Sequence, residues 1–205
     1  LVEHTSDGPP DDIYAYFAQA GVKGKSGTFS YTVAAAYTDW GELGEAGNVA
    51  GDTTGQAGGT PEYTDAAGDT RTTGYKVWDL YGKVGIKLAK KTKLGIWAHY
   101  LTNTDSTGPA KDEDTGYAGG ASLAIKPFKL SVWYKHVEAN ATPGFIGDSD
   151  SAYVNREGYV AKLAWKAFKR GTLSVAYYST DPIKEDLDNA KNGDQTVFVD
   201  FVFKF

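Results

Sequence analysis

A chain of 205 residues, 41% of them hydrophobic, fits a single domain spanning 1–205, and its lack of cysteine removes disulfide frameworks and thiol chemistry. The formal net charge of -5 and a sequence pI of about 5.2 speak against general nucleic-acid binding. A mean hydropathy of -0.41, without any run of about 18 apolar residues, excludes a helical membrane protein but not one that crosses with strands apolar on one side only.

Residues 1–12 are polar and contain Gly8, Pro9 and Pro10, which reads as a loop. Beginning at Leu1 with neither initiator methionine nor signal peptide, the chain is expected to be processed, trimmed or partial. Residues 13–23 alternate, with Tyr14, Tyr16, Ala18, Ala20 and Val22 on one face of a strand, because successive side chains point to opposite sides. A basic turn at 24–27 leads into a second strand over 28–40. There Phe29, Tyr31, Val33, Ala35 and Tyr37 oppose Ser30, Thr32, Ala34, Ala36 and Thr38. Residues 41–74 are rich in glycine, threonine and aspartate and have no apolar period, and a loop that long argues against a compact soluble domain.

The pattern resumes at 75–88, where Trp78, Leu80, Val84 and Ile86 oppose Asp79, Tyr81, Lys83 and Lys87. A tight turn at 89–92 precedes a strand at 93–102 with Leu94, Ile96, Ala98 and Tyr100 in phase. After a polar, acidic segment at 103–116, strands are expected at 117–125 and 128–137 around a Lys126-Pro127 turn. Beyond a loop at 138–157, strands follow at 159–167 and 172–179 around a turn at 168–171. A loop at 180–194 precedes the last strand, 195–205.

That makes nine strands whose connections alternate strictly between short and long. The short turns, KGKSG, AKKT, KPFK and FKRG, are basic; the long connections are acid-rich. Strands that leave the short turns share a loose repeat: KSGTFSYTVAAAYTD, KKTKLGIWAHYLTNTD, KPFKLSVWYKHVEAN and KRGTLSVAYYSTD. On the apolar face, Tyr14, Tyr37, Trp78, Tyr100, Tyr117, Tyr134, Tyr159 and Tyr177 gather at the long-loop ends. Phe29, Phe128, Trp165, Phe203 and Phe205 gather at the short-turn ends. Amphipathic rings settle where hydrocarbon meets headgroups, so two girdles about 25 Å apart are expected.

The last eleven residues read QTVFVDFVFKF and close on Phe205. Val197, Val199, Phe201, Phe203 and Phe205 share one face, while Asp200 and Lys204 lie on the other. This strand resembles the C-terminal strand of bacterial outer-membrane β-barrels, and the sorted loops and girdles resemble the same family. The resemblance implies a bacterial outer-membrane location and an all-β, transmembrane, antiparallel up-and-down β-barrel. Its C-terminal strand would close the barrel, and short turns would face the periplasm. Nine strands would put the two termini on opposite sides of the membrane. Earlier strands are therefore expected before Leu1 or from another chain, in a barrel of roughly 12–18 strands. The first and last strands seen here are not expected to pair with each other.

The polar face carries Asp79, Tyr81, Lys83, Trp97, His99, Trp133, Lys135, Lys162 and Asp200 as candidate pore-lining residues, with Lys87, Lys129, Lys166 and Lys204 toward the short-turn mouth. Unpaired charges facing a dry core cost several kcal/mol each, whereas facing a water-filled lumen they cost little and select ions by sign. Lys83, Lys135 and Lys162 outnumber Asp79 and Asp200, which leads to an expectation of mild anion preference. Catalysis has little to draw on. Of His4, His99 and His136 only His99 is inward on a strand, and no nucleophile–base pair is evident from spacing. Asp148-Ser149-Asp150 and Asp186-Leu187-Asp188-Asn189 offer oxygen ligands but lack the glycine and glutamate of a calcium loop, so no metal and no cofactor are expected. Asn140-Ala141-Thr142 matches a glycosylation sequon that means little in a bacterial envelope.

The expected function is that of a porin, a passive diffusion channel for small hydrophilic solutes or ions, and not of an enzyme. The resemblance also implies membrane lipids and lipopolysaccharide as surroundings, no nucleic acid, and allows a homo-oligomer such as a trimer. A structural or interaction barrel, serving as envelope anchor or as sleeve around a partner, is the alternative; an outer-membrane hydrolase comes third.

Overall fold

The computed structural model describes residues 14–41, 63–64, 70–71, 73–144, 154–166, 168, 170–185 and 193–203. His4, Lys204, Phe205 and both acidic clusters, at 148–150 and 186–189, lie outside the described residues. The alternating segments all form strands: β1 (Tyr14–Ser26), β2 (Phe29–Gly41), β5 (Tyr75–Ala89), β6 (Thr92–Asn103), β7 (Thr115–Ile125), β8 (Phe128–Val137), β9 (Arg156–Trp165), β10 (Gly171–Pro182) and β11 (Asp194–Phe203). Within the long second connection lies a short pair the sequence did not signal, β3 (Tyr63–Thr64) and β4 (Thr70–Arg71). Two residues per strand are too few to show a period.

Nine strands make one sheet in the order β1-β2-β5-β6-β7-β8-β9-β10-β11, every pair antiparallel. Apart from the β3–β4 excursion, each strand pairs only with its neighbours in the chain. β1 and β11 are the two edges and do not pair with each other, as expected. The first turn is tighter than the sequence suggested. β1 continues through Ser26, and Gly27, at φ 55, turns the chain with Thr28. A positive φ is what a two-residue hairpin needs and glycine supplies it without steric cost. The short turns are also tied side by side, through Lys87 N to Thr28 O (2.8 Å), Lys126 N to Lys91 O (3.1 Å) and Lys166 N to Pro127 O (3.0 Å).

Away from the edge strands and the short-turn ends, the two faces differ in burial. Val33, Leu80, Ile96, Val132, Leu163, Val175 and Val199 share the apolar face and are all exposed, Val199 at 66%. On the opposite face Val160 is 0% exposed, and Ala36, Ser174, Ala176 and Tyr178 are buried too. Among the described elements no second layer covers that face. It is called the inner face below.

The long-loop end is held by a knot of loop hydrogen bonds. The Asn103 amide donates to Gly74 O (2.8 Å) and Asn140 O (2.9 Å), while its Oδ1 accepts from Lys76 N (3.0 Å) and Asp105 N (3.1 Å). Asn140, 1% exposed, donates through Nδ2 to Ser106 Oγ (3.1 Å), Thr107 O (3.4 Å) and Ala110 O (2.9 Å). Segment 139–144 is thereby buried against 103–114, and the sequon asparagine has no free amide to modify. Beneath it Tyr75 and Val77 pack with Trp40 and Leu101, so the inner face is apolar at this end.

Candidate functional site

Strand parity places all nine candidate residues on the inner face, but the structure divides them into groups. Asp79 and Tyr81 on β5 face Leu101 and His99 on β6. The Asp79 carboxylate leans diagonally to His99, Oδ2 to Nε2 at 2.8 Å, and Tyr81 meets the imidazole edge-on, with centroids 6.3 Å apart. Lys83 lies one step toward the short turns, between Thr32 and Trp97, and is exposed.

Trp97 and Trp133 flank β7 in register with Gly120, the one residue between them. A Cβ on Gly120 would lie 2.5 Å from Trp133 Cβ and 2.6 Å from Val132 O. Glycine is what lets Trp133 stand there. Trp133 and, from β11, Phe198 in turn pack against the cluster of Val160, Ala176 and Tyr178, Trp133 meeting Tyr178 edge-on at 6.5 Å. The inner face over β8 to β11 is therefore partly an aromatic core.

Lys162 reaches across β10, over the small Ala176, to place Nζ 3.6 Å from Asp200 Oδ2. Ser174 Oγ donates to the same oxygen at 3.4 Å. Both this pair and Asp79–His99 stay about one-third to one-half exposed, so each contributes about 1 kcal/mol at most. Lys135 departs from the expectation of a water-facing charge: it is only 7% exposed, in register with Ala118 and Gly158 near the long-loop end of β8.

Two arrangements were not legible in the sequence. Arg156, read there as a loop residue, starts β9 and is buried, with NH2 3.4 Å from Asp194 Oδ2. The signal was hidden because its partner sits across β10, in register with Thr180. On the outer face, at the long-loop girdle, Tyr134 OH donates to Glu157 Oε2 (2.6 Å) and His136 Nδ1 lies 2.9 Å from the same oxygen. Tyr117 stacks on His136, with ring centroids 4.9 Å apart. The girdle rings touch from strand to strand, Tyr37 against Trp78 at 4.9 Å and Tyr134 against Tyr159 at 5.0 Å.

Chemically, the inner face offers ammonium groups, one imidazole–carboxylate pair and indole rings. Among the described residues no group of three or more His, Cys, Asp or Glu could hold a metal ion, and no hydroxyl hydrogen-bonds to His99. No family model, curated protein or solved structure matches this chain.

Proposed function

We propose that the chain is a transmembrane β-barrel protein of the bacterial outer membrane, a porin through which small hydrophilic solutes and ions diffuse along the inner face. One observation carries this reading: the outer face is apolar along its strands and exposed. Soluble monomers rarely leave so large an apolar patch in water. In a bilayer the same face needs no cover, and backbone groups satisfied between strands are the condition for crossing it. The lengths agree. The shortest main strands have 10 residues and the longest has 15, against the roughly 9–11 tilted residues that span hydrocarbon. The β1 and β11 edges, unpaired among the described residues, are to be completed by further strands of this polypeptide or of another chain, in a barrel of roughly 12–18 strands.

The test is to reconstitute the purified protein into planar bilayers. Stepwise, ohmic conductance is expected. Insertion into vesicles, with the strands protected from protease but no conductance, would favour the anchor or sleeve reading. Failure to insert would refute the membrane assignment.

The Asp79–His99 pair favours a second reading, a hydrolytic barrel, because it supplies the base and its orienting carboxylate. It lacks a hydroxyl nucleophile at the imidazole among the described residues, so it ranks below the pore. Ester hydrolysis by the purified protein that is lost in His99→Gln would promote it.

A further inference from the structure

Charges on the inner face do not balance. Its three acids among the described strand residues are each matched: Asp79 by His99 at 2.8 Å, Asp194 by Arg156 at 3.4 Å and Asp200 by Lys162 at 3.6 Å. Six lysines on the same face, Lys23, Lys25, Lys83, Lys87, Lys93 and Lys129, are exposed and have no carboxylate partner among the described residues. Lys87 and Lys93 are directly opposed across β5 and β6. Lys129 lies in the same row, with only Ala124 between it and Lys93. Like charges directly opposite each other destabilise a sheet.

The four hairpins around the short turns, residues 17–38, 82–98, 119–134 and 160–177, hold no Asp or Glu at all, although the chain has 26 acidic residues. An ammonium row that no acid neutralises among the described residues is a site for an anion from solution. Walls of low dielectric strengthen its field, and lysines act on oxyanions as point charges with hydrogen-bond donors.

We propose that this face is a lysine track for small anions. It is entered at the short-turn rim through Lys87, Lys93 and Lys129, and continued inward by Lys83 and Lys23. Divalent oxyanions of the phosphate class hold to it better than chloride, because a doubly charged ion between Lys87 and Lys93 engages both ammonium groups at once. The selectivity rests on the pore reading; the binding does not.

Two measurements separate those claims. In planar bilayers under a potassium chloride gradient, the zero-current potential is expected to have the sign of preferred chloride passage. Inorganic phosphate should reduce the chloride current, and Lys87→Gln/Lys93→Gln should move the potential toward zero and relieve that reduction. Conductance with cation preference would overturn the track and leave the pore standing. If the protein conducts nothing, phosphorus NMR of inorganic phosphate with the detergent-solubilised protein decides. Line broadening lost in Lys87→Gln/Lys93→Gln supports the anion site without a channel, and no broadening in the unaltered protein overturns it. The double variant relieves a repulsion, so it is expected to fold; Lys83→Gln, away from the rim, provides an independent check on the same readouts.

Discussion

Gly120 shows how one missing side chain shapes the inner face. It keeps its strand narrow where Trp133 crosses, and an added methyl would press on Trp133 Cβ and on the Val132 carbonyl, neither of which is a flexible tip. Gly120→Ala is expected to destabilise by about 1–3 kcal/mol, through displaced backbone and a tilted indole. Denaturant unfolding followed by tryptophan fluorescence would register both. Asp114 makes a different point. Its carboxyl is pushed above the ordinary carboxylate range, first by burial and then by the Glu138 carboxylate. A folded state that binds this proton more readily than the unfolded one gains stability as pH falls through the raised value, and loses that contribution as pH rises. Asp114→Asn should therefore melt higher than the unaltered protein at pH 7, with a difference that shrinks as the pH approaches the ordinary carboxylate pKa near 4. Equal melting differences at both ends of that range would count against the assignment. Neither residue stood out in the sequence: Gly120 is one glycine among 25, and the shift at Asp114 depends on burial and on a Glu138 carboxylate that only the fold brings near.

At the scale of elements the strands were legible because each meets two environments, and a period of two is hard to mistake over ten residues. Tyr31, Val33 and Ala35 face outward with Val84, Gly82 and Leu80 beside them, which fixes the register as well as the strand. If hydrocarbon surrounds that face, Val132→Arg at mid-depth should cost about 2–4 kcal/mol. Chemical denaturation in lipid vesicles would show it, and a neutral effect there would mean that the face is not in hydrocarbon. Strand ends were less legible. β9 begins three residues before the alternation from Tyr159 suggested, because Glu157 and Gly158 break the apolar pattern while keeping the ladder. The loop knot was invisible, since Asn103 and Asn140 are 37 residues apart and nothing in either segment is periodic. Side-chain pairings such as Asp79–His99 also need the register before they can be foreseen.

Over the whole molecule, charge and architecture are sorted along one axis. Hairpins without acids lie at one end, and the asparagine knot, with the acids of segment 103–114, lies at the other. The conductance and anion preference proposed above would be properties of this scale, since no single lysine creates them.

The neighbour-to-neighbour pairing has a consequence of another kind. Since no main strand skips over another, a hairpin could be removed or duplicated as a unit without rethreading the chain elsewhere. The size of such a structure is then a matter of how many hairpins the gene encodes, and growth by tandem copying of a strand–turn–strand segment is open to it. The loose repeat after each short turn is what that history would leave behind.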